Sequence, residues 1–415
     1  MRCSAFCCRS GFWITCYNNR QIVVKSGACV LTDNIYLDYA ATTPVDRHVL
    51  AAMQPYFGEV FGNPSSVHRH GQEAEQALIQ ARKKVSSILH ARPDEIIFTS
   101  GGTESDNLAL RGTLFALRQR RNRLQHVLIS PVEHHAVVST ARHLAEEFGY
   151  ELEMLPVNEY GQVDAADVAA CIRPETALVS VIYANNEIGS VNPIREIGAV
   201  CRAKGVLFHT DAVQAAAHFP LNVQQDQVDL LSIGAHKFYG PKGIGALYVR
   251  RGVPIFGLMG GGKQESGLRP GTENVPYIVG IAEAFEITQD EIVNCTQKFI
   301  LLRDRLISGV LENIPRVRLT GHPVERLPNH ASFVFEALDG NKLLMLLDMA
   351  GFSCSSGSAC KTGSPKPSEV LMAIGLSRSW ALGSLRVTLG RDSTEEHVER
   401  FLEVLPKVVK DARSL

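Results

Sequence analysis

The stretch Val228-Asp-Leu-Leu-Ser-Ile-Gly-Ala-His-Lys-Phe-Tyr-Gly-Pro-Lys-Gly243 decides the fold. Its first six residues are a short, mostly apolar run, and it closes on a Gly-Pro pair that turns the chain. Such a run fits a strand buried on both faces of a mostly parallel sheet. Working outward, Glu95–Thr99, His126–Ser130, Thr176–Tyr183 and Val206–Thr210 have the same form, each followed by a loop. Ala246–Val249 is expected to add an antiparallel strand. Ser65–Leu89 reads as an amphipathic helix, with Ala74, Ala77, Leu78, Ala81, Val85 and Ile88 near one face. The pattern predicts an α/β fold: a large domain over residues 46–293, its mostly parallel sheet sandwiched by helices. Beyond about residue 293 the texture changes. Ile300–Leu311, Gly340–Ala350 and Thr394–Val408 look helical, Ala331–Phe335 and Ser384–Leu389 strand-like. Residues 34–45 and 294–415 are therefore assigned to a small C-terminal α+β domain. No internal repeat or low-complexity tract breaks this layout.

The chain has 415 residues, 45% of them hydrophobic, enough for two domains with a large core. Its net charge of −1 argues against nucleic acid as a direct partner. No apolar run approaches the 18 residues of a membrane span, so no membrane association is expected. Of ten cysteines, Cys3, Cys7, Cys8, Cys16 and Cys29 crowd the start, and no C-x-x-C pair occurs. A cysteine-only metal site or a disulfide framework is weakly supported, and no metal is expected. Residues 1–32 carry no acidic side chain but hold Arg2, Arg9, Arg20 and Lys25. That is the charge pattern of an organellar transit peptide, yet the cysteine load and missing amphipathic period favour an unstructured extension over residues 1–33 of a cytoplasmic protein.

In an open α/β sheet, ligands gather outside the carboxyl ends of the strands, and every polar motif here follows a strand. Asp211, in His209-Thr-Asp-Ala-Val-Gln214, ends one run; Lys237 follows the next. An amine for a Schiff base and an acid for a ring nitrogen are what pyridoxal phosphate needs. Taken singly, a surface lysine and a capping aspartate are the commoner roles; the pair raises both. Lys237 lies between an apolar strand and Phe238-Tyr239-Gly240-Pro241, where desolvation lowers an amine's pKa. Thr99-Ser-Gly-Gly-Thr-Glu-Ser-Asp-Asn107 leads from a strand into a helix, a phosphate cup or an ordinary capped turn. Gly257–Lys263 nearly spells a nucleotide-triphosphate loop, but Gln264 replaces the Ser or Thr that would hold magnesium. His134, in Val132-Glu-His-His-Ala136, offers a flat imidazole for stacking and proton relay. Asn186 and Gln214 can hydrogen-bond a ring oxygen. Arg386, a charge within an apolar strand, suits a substrate carboxylate or an internal ion pair. Cys360 lies in a Ser/Gly/Pro-rich loop, as a mobile reactive thiol would; Cys354 is read as structural.

Together Tyr36-Leu-Asp-Tyr-Ala-Ala-Thr-Thr-Pro44, FGNPSSVH, TSGGTESDN, VEHHAV, ANNEIG, HTDAVQ, HKFYGPKGIGALYVRR, RPGTENV, SSGSAC and LRVTLGR resemble the cysteine desulfurases of the class V aminotransferase family. The match runs from about residue 34 to 410, and the long SSGSAC loop resembles the NifS/IscS-type branch. The resemblance implies a pyridoxal-phosphate-dependent transferase of fold type I, a homodimer that removes sulfur from L-cysteine. Alanine would leave, and a persulfide on Cys360 would go to an acceptor such as an iron–sulfur scaffold protein or a tRNA thiolation enzyme. By the same resemblance Lys237 holds the cofactor covalently, Asp211 pairs with its ring nitrogen and His134 stacks on the ring. Asn186 and Gln214 touch the ring; Gly102, Thr103 and His236 hold the phosphate; Thr272 reaches across from a second subunit; Arg386, with Asn186, binds substrate. Members of this type usually carry a serine three residues before the lysine, and here that residue is Gly234. A selenocysteine lyase, a plain class V aminotransferase and a non-enzymatic docking scaffold for sulfur carriers are the alternatives.

Overall fold

The computed structural model describes residues 34–120, 124–357 and 366–414, together with the backbone of four strands nearer the amino terminus. Those four, Phe6–Cys7, Trp13–Tyr17, Arg20–Lys25 and Ala28–Asp33, pair antiparallel in a sheet of their own. An unstructured extension is expected there; the runs WITCY and RQIVVK instead carry the aromatic and β-branched residues that suit strands.

The central sheet has seven strands in the spatial order Ile96–Thr99, Gly245–Val249, Leu230–Gly234, Leu207–Asp211, Thr176–Ser180, His126–Ile129, Glu151–Met154. Gly245–Val249 runs antiparallel to both its neighbours and the other pairings are parallel, as the sequence pattern predicts. The edge strand Glu151–Met154 escapes the sequence reading because the exposed Glu151 and half-buried Glu153 break the apolar run.

Alternation along each inner strand sends side chains into two layers of core. Leu128, Val179, Phe208, Leu231, Ile233 and Tyr248 pack with the helix Arg69–Ile88 on one face. Ile97, Val127, Ile129, Leu178, Leu230 and Leu247 pack on the other with Leu110, Leu114 and Val137. Each such side chain contributes about 1.5–3 kcal/mol by leaving water, which is what makes a two-sided parallel sheet stable.

A second core surrounds the antiparallel sheet Val317–Leu319, His330–Phe335, Ser384–Thr388. Ile35 and Leu37 belong to it, and Ile35–Tyr36 pairs parallel with Phe352–Ser353. A single helix, Val275–Asn313, serves both cores: Ile278, Ile281 and Phe285 enter the first, Phe299, Leu302, Leu306 and Val310 the second. The sequence reading places a change of texture at residue 293, in the middle of this helix. After Pro276 in its first turn no further Pro or late Gly–Pro signal interrupts it, so the helix continues for 39 residues.

Candidate active site

Because six of the seven central strands run the same way, their carboxyl ends share one edge. Asp211 is the last residue of its strand, paired in register with Ser232 of the next; Gly234 ends that strand, and Lys237 follows within a single 3-10 turn, Ala235–Lys237. The two groups therefore come from adjacent strands. With Gly102, Thr103, Asp106, His134, Ile182, Asn186, Val213, Gln214 and His236 they line a cavity of about 220 Å³.

Lys237 Nζ donates to the carbonyls of Ala40 and Ala41, at 2.7 and 2.8 Å. Burial, reinforced by the Arg386 charge and opposed by Asp211 and Asp38, brings its pKa down to about 8. Such an amine is far more often uncharged, and so nucleophilic, than a surface lysine. Asp211 accepts from the Val213 N–H at 2.9 Å, and burial raises its pKa despite the opposing pull of His134 and Lys237. A cationic ring nitrogen beside it would restore the ionised form. His134 caps the helix His135–Phe148, its Nδ1 accepting from the Ala136 N–H at 3.1 Å. Its exposed face looks into the cavity, and the surrounding protein lowers its pKa, so the ring is neutral and suited to stacking.

The turn from the strand Ile96–Thr99 into the helix Gly102–Asn107 forms one wall of the cavity. Gly101 has φ of 154°, where a side chain is strained, and the helix starts at Gly102. A Cβ on Gly102 would lie 2.7 Å from Val213 Cγ2, so glycine alone keeps this wall close to the strand end. Thr103 is exposed on the cavity side. His236 Nδ1 lies 3.2 Å from Thr42 Oγ1, and burial, with Lys237 and Lys242, takes its pKa down to about 4. The ring is therefore a neutral hydrogen-bonding group at the cavity wall. Gln214 lines the cavity while its Nε2 donates to Ala40 O at 2.9 Å. Thr272 does not line the cavity; it is exposed on the loop before the long helix.

Arg386 is only 7% exposed and makes the internal ion pair considered for it. Nη2 donates to Asp38 at 2.8 Å and Nη1 to the Asn186 carbonyl at 3.0 Å, which fixes the guanidinium plane; Nε has no partner. The internal ion pair thus fixes the orientation of this buried charge beside the cavity residue Asn186. Residue 360 lies outside the described residues. The chain on either side is anchored at the same mouth: Ser355 Oγ donates to Asp38 Oδ2 at 2.8 Å and Ser368 Oγ to Glu187. Burial raises the Cys354 pKa, which agrees with a structural thiol.

Three contributors go unnoticed in the sequence: the Ala40 and Ala41 carbonyls, Asp38, and Asp106. Asp106, in TSGGTESDN, is read there only as part of a phosphate cup or capped turn, with no role of its own, yet it is buried and lines the cavity. Donor atoms of Asp106, His134 and Asp211 lie within 4.8 Å of one another, a spacing that would also admit a cation. The amine of Lys237 in the same cavity, and a cup of glycine and hydroxyl beside it, fit pyridoxal phosphate better.

A parallel sheet with lysine and acid at its carboxyl edge defines a vitamin B6 transferase site. Residues 35–401 match the class V aminotransferase family model, and the chain belongs to that family. Over 391 residues it is 47% identical to the cysteine desulfurase IscS of Methanosarcina thermophila, spanning 94% of this chain and 96% of that protein. Among solved structures it is similar to a NifS-like protein, with a TM-score of 0.84 and 36% identity, over 91% of this chain and 100% of that one. It is also similar to SspA in complex with cysteine, with a TM-score of 0.75 and 35% identity, over 86% and 98% of the two chains.

Proposed function

We propose that this chain is a pyridoxal-phosphate-dependent cysteine desulfurase, with Lys237, His134 and Cys360 as its catalytic residues. The observation that carries the reading is the convergence of Lys237 and Asp211 from neighbouring strand ends in one cavity, beside an oriented Arg386. When bound, the coenzyme supplies an electron sink for carbanions. Lys237 anchors it, and Asp211 keeps its ring nitrogen protonated. Gly102, Thr103 and His236 hold the phosphate, while His134, Asn186 and Gln214 set the ring.

Arg386 binds the carboxylate of L-cysteine, with Asn186 beside it. The amine of Lys237, once free, takes the substrate's Cα proton; while it is free, the Ala40 and Ala41 carbonyls can accept its N–H groups. Cys360 then attacks the substrate sulfur as a thiolate. The S–S bond forms as the Cβ–S bond breaks, the electron pair stays with Cβ, a proton follows, and the carbon skeleton leaves as alanine. The persulfide on Cys360 is then passed to an acceptor. Iron–sulfur scaffold proteins and thiolation enzymes are acceptors of the right chemistry. We further propose a homodimer in which the exposed Thr272 completes the partner's phosphate site.

Incubation of the coenzyme-loaded protein with L-cysteine tests this. Equal yields of alanine and transferable sulfur, with a mass increase of one sulfur on Cys360, are expected. Cys360→Ser retaining full turnover would sink the desulfurase assignment and favour an aminotransferase.

A further inference from the structure

Asp106 lines the cavity, and no step proposed for the reaction uses it. It is 1% exposed, and its Oδ1 has no hydrogen-bond partner. Around it stand Asp211 and His134, with donor atoms within 4.8 Å, and His209, whose Nε2 is 3.6 Å from Oδ1. The Ser232 hydroxyl bonds to the carboxyl group, and the like charge of Glu133 faces it from further away. His209 brings no positive charge: burial takes its pKa to about 3, and its two nitrogens face Ser180 Oγ at 2.9 Å and Ser232 Oγ at 3.1 Å.

Two carboxylates enclosed together in a dry site do not both ionise. Of this pair Asp211 accepts from the Val213 N–H and has the Lys237 amine acting on it, both favouring its ionised form, whereas burial and the Asp211 charge push the Asp106 pKa far up. The proton therefore rests on Asp106. We propose that Asp106 is a positioning residue that, as a neutral acid, donates a hydrogen bond to Asp211 and holds that carboxylate, ionised, ready for the ring nitrogen of the coenzyme. The inference rests on the cavity being a pyridoxal phosphate site. Behind Asp106, Ser232, His209 and Ser180 continue the buried polar chain, so its side chain has little freedom to turn away.

The test compares apo-protein titrated with pyridoxal phosphate and with its 1-deaza analogue, in which carbon replaces the ring nitrogen. Asp106→Ala is expected to weaken pyridoxal phosphate about tenfold and to leave the analogue within about twofold of the parent protein. Equal weakening of both would mean a merely structural role and overturns the proposal, as does no weakening of either. Asp106→Asn keeps the size and an N–H donor, which guards against a folding defect; both coenzymes should bind within about twofold of the parent. A tenfold loss there would mean that a charged Asp106 is required, and also overturns it. A parent protein that binds neither coenzyme would instead defeat the assignment of the cavity itself.

Discussion

Lys237 shows how placement changes a residue's chemistry. An exposed lysine has a pKa near about 10.4, whereas Lys237, desolvated and facing Arg386, is down to about 8. Only the uncharged amine captures an aldehyde, so the rate of pyridoxal phosphate capture by apo-protein should rise with pH through a midpoint near 8. Stopped-flow absorbance measures this, and a midpoint above about 10 would show that the amine is not desolvated. Arg386 makes a similar case: its plane is set by Asp38 and Asn186. Arg386→Gln removes the charge and should raise the KM for L-cysteine by about tenfold or more, with the coenzyme still bound. At the phosphate, Thr103→Ala should weaken coenzyme retention through dialysis, and Gly234→Ser should strengthen it. A Cβ at Gly234 would sit 3.4 Å from Gly102 N and 3.6 Å from Val213 Cγ1, ordinary contacts, so a serine fits the strand and adds a hydroxyl to the cup. An increase in affinity of about fivefold is expected; a loss would mean the hydroxyl points elsewhere.

Elements do work that single residues cannot. Strands Leu207–Asp211 and Leu230–Gly234 are parallel and in register at Asp211 and Ser232, which is why an acid and an amine 26 positions apart share a cavity. The helix Val275–Asn313 braces that register from behind: Phe285, fully buried, packs on Phe238, the residue after Lys237, with ring centroids 5.1 Å apart. Phe285→Ala should lower unfolding stability by about 3–5 kcal/mol. A denaturant titration of the apo-protein reads this, and coenzyme affinity should fall as Lys237 loses its backing. A cost under about 1 kcal/mol would mean the neighbours collapse into the gap. The strands and the amphipathic helix Arg69–Ile88 were legible because periodicity and turn residues are local signals. The single long helix was not, since nothing local distinguishes a helix serving two cores from two helices.

At the scale of the whole molecule, the cavity lies at the central sheet's carboxyl edge, close to the Ala40 and Ala41 carbonyls that receive Lys237 and to the Asp38–Arg386 pair. Its lining is gathered from positions spread between 102 and 237, so a ligand held there binds only the folded state. Pyridoxal phosphate at about one hundred times its Kd should therefore stabilise the protein by about 2.7 kcal/mol. Removing it should lower the melting temperature, which differential scanning calorimetry checks. By itself the sequence determined the alternating α/β order, the strand-end positions of Asp211, Lys237, His134 and Asn186, and through its motifs the chemistry. Those features are written in contiguous residues. Only the tertiary structure decided that Asp38 orients Arg386, that the Ala40 and Ala41 carbonyls receive Lys237, and that Asp106, with one oxygen unpartnered, stands near Asp211. The physical reason is burial: what a carboxylate does depends on which distant groups share its dry surroundings, and chain order does not carry that information.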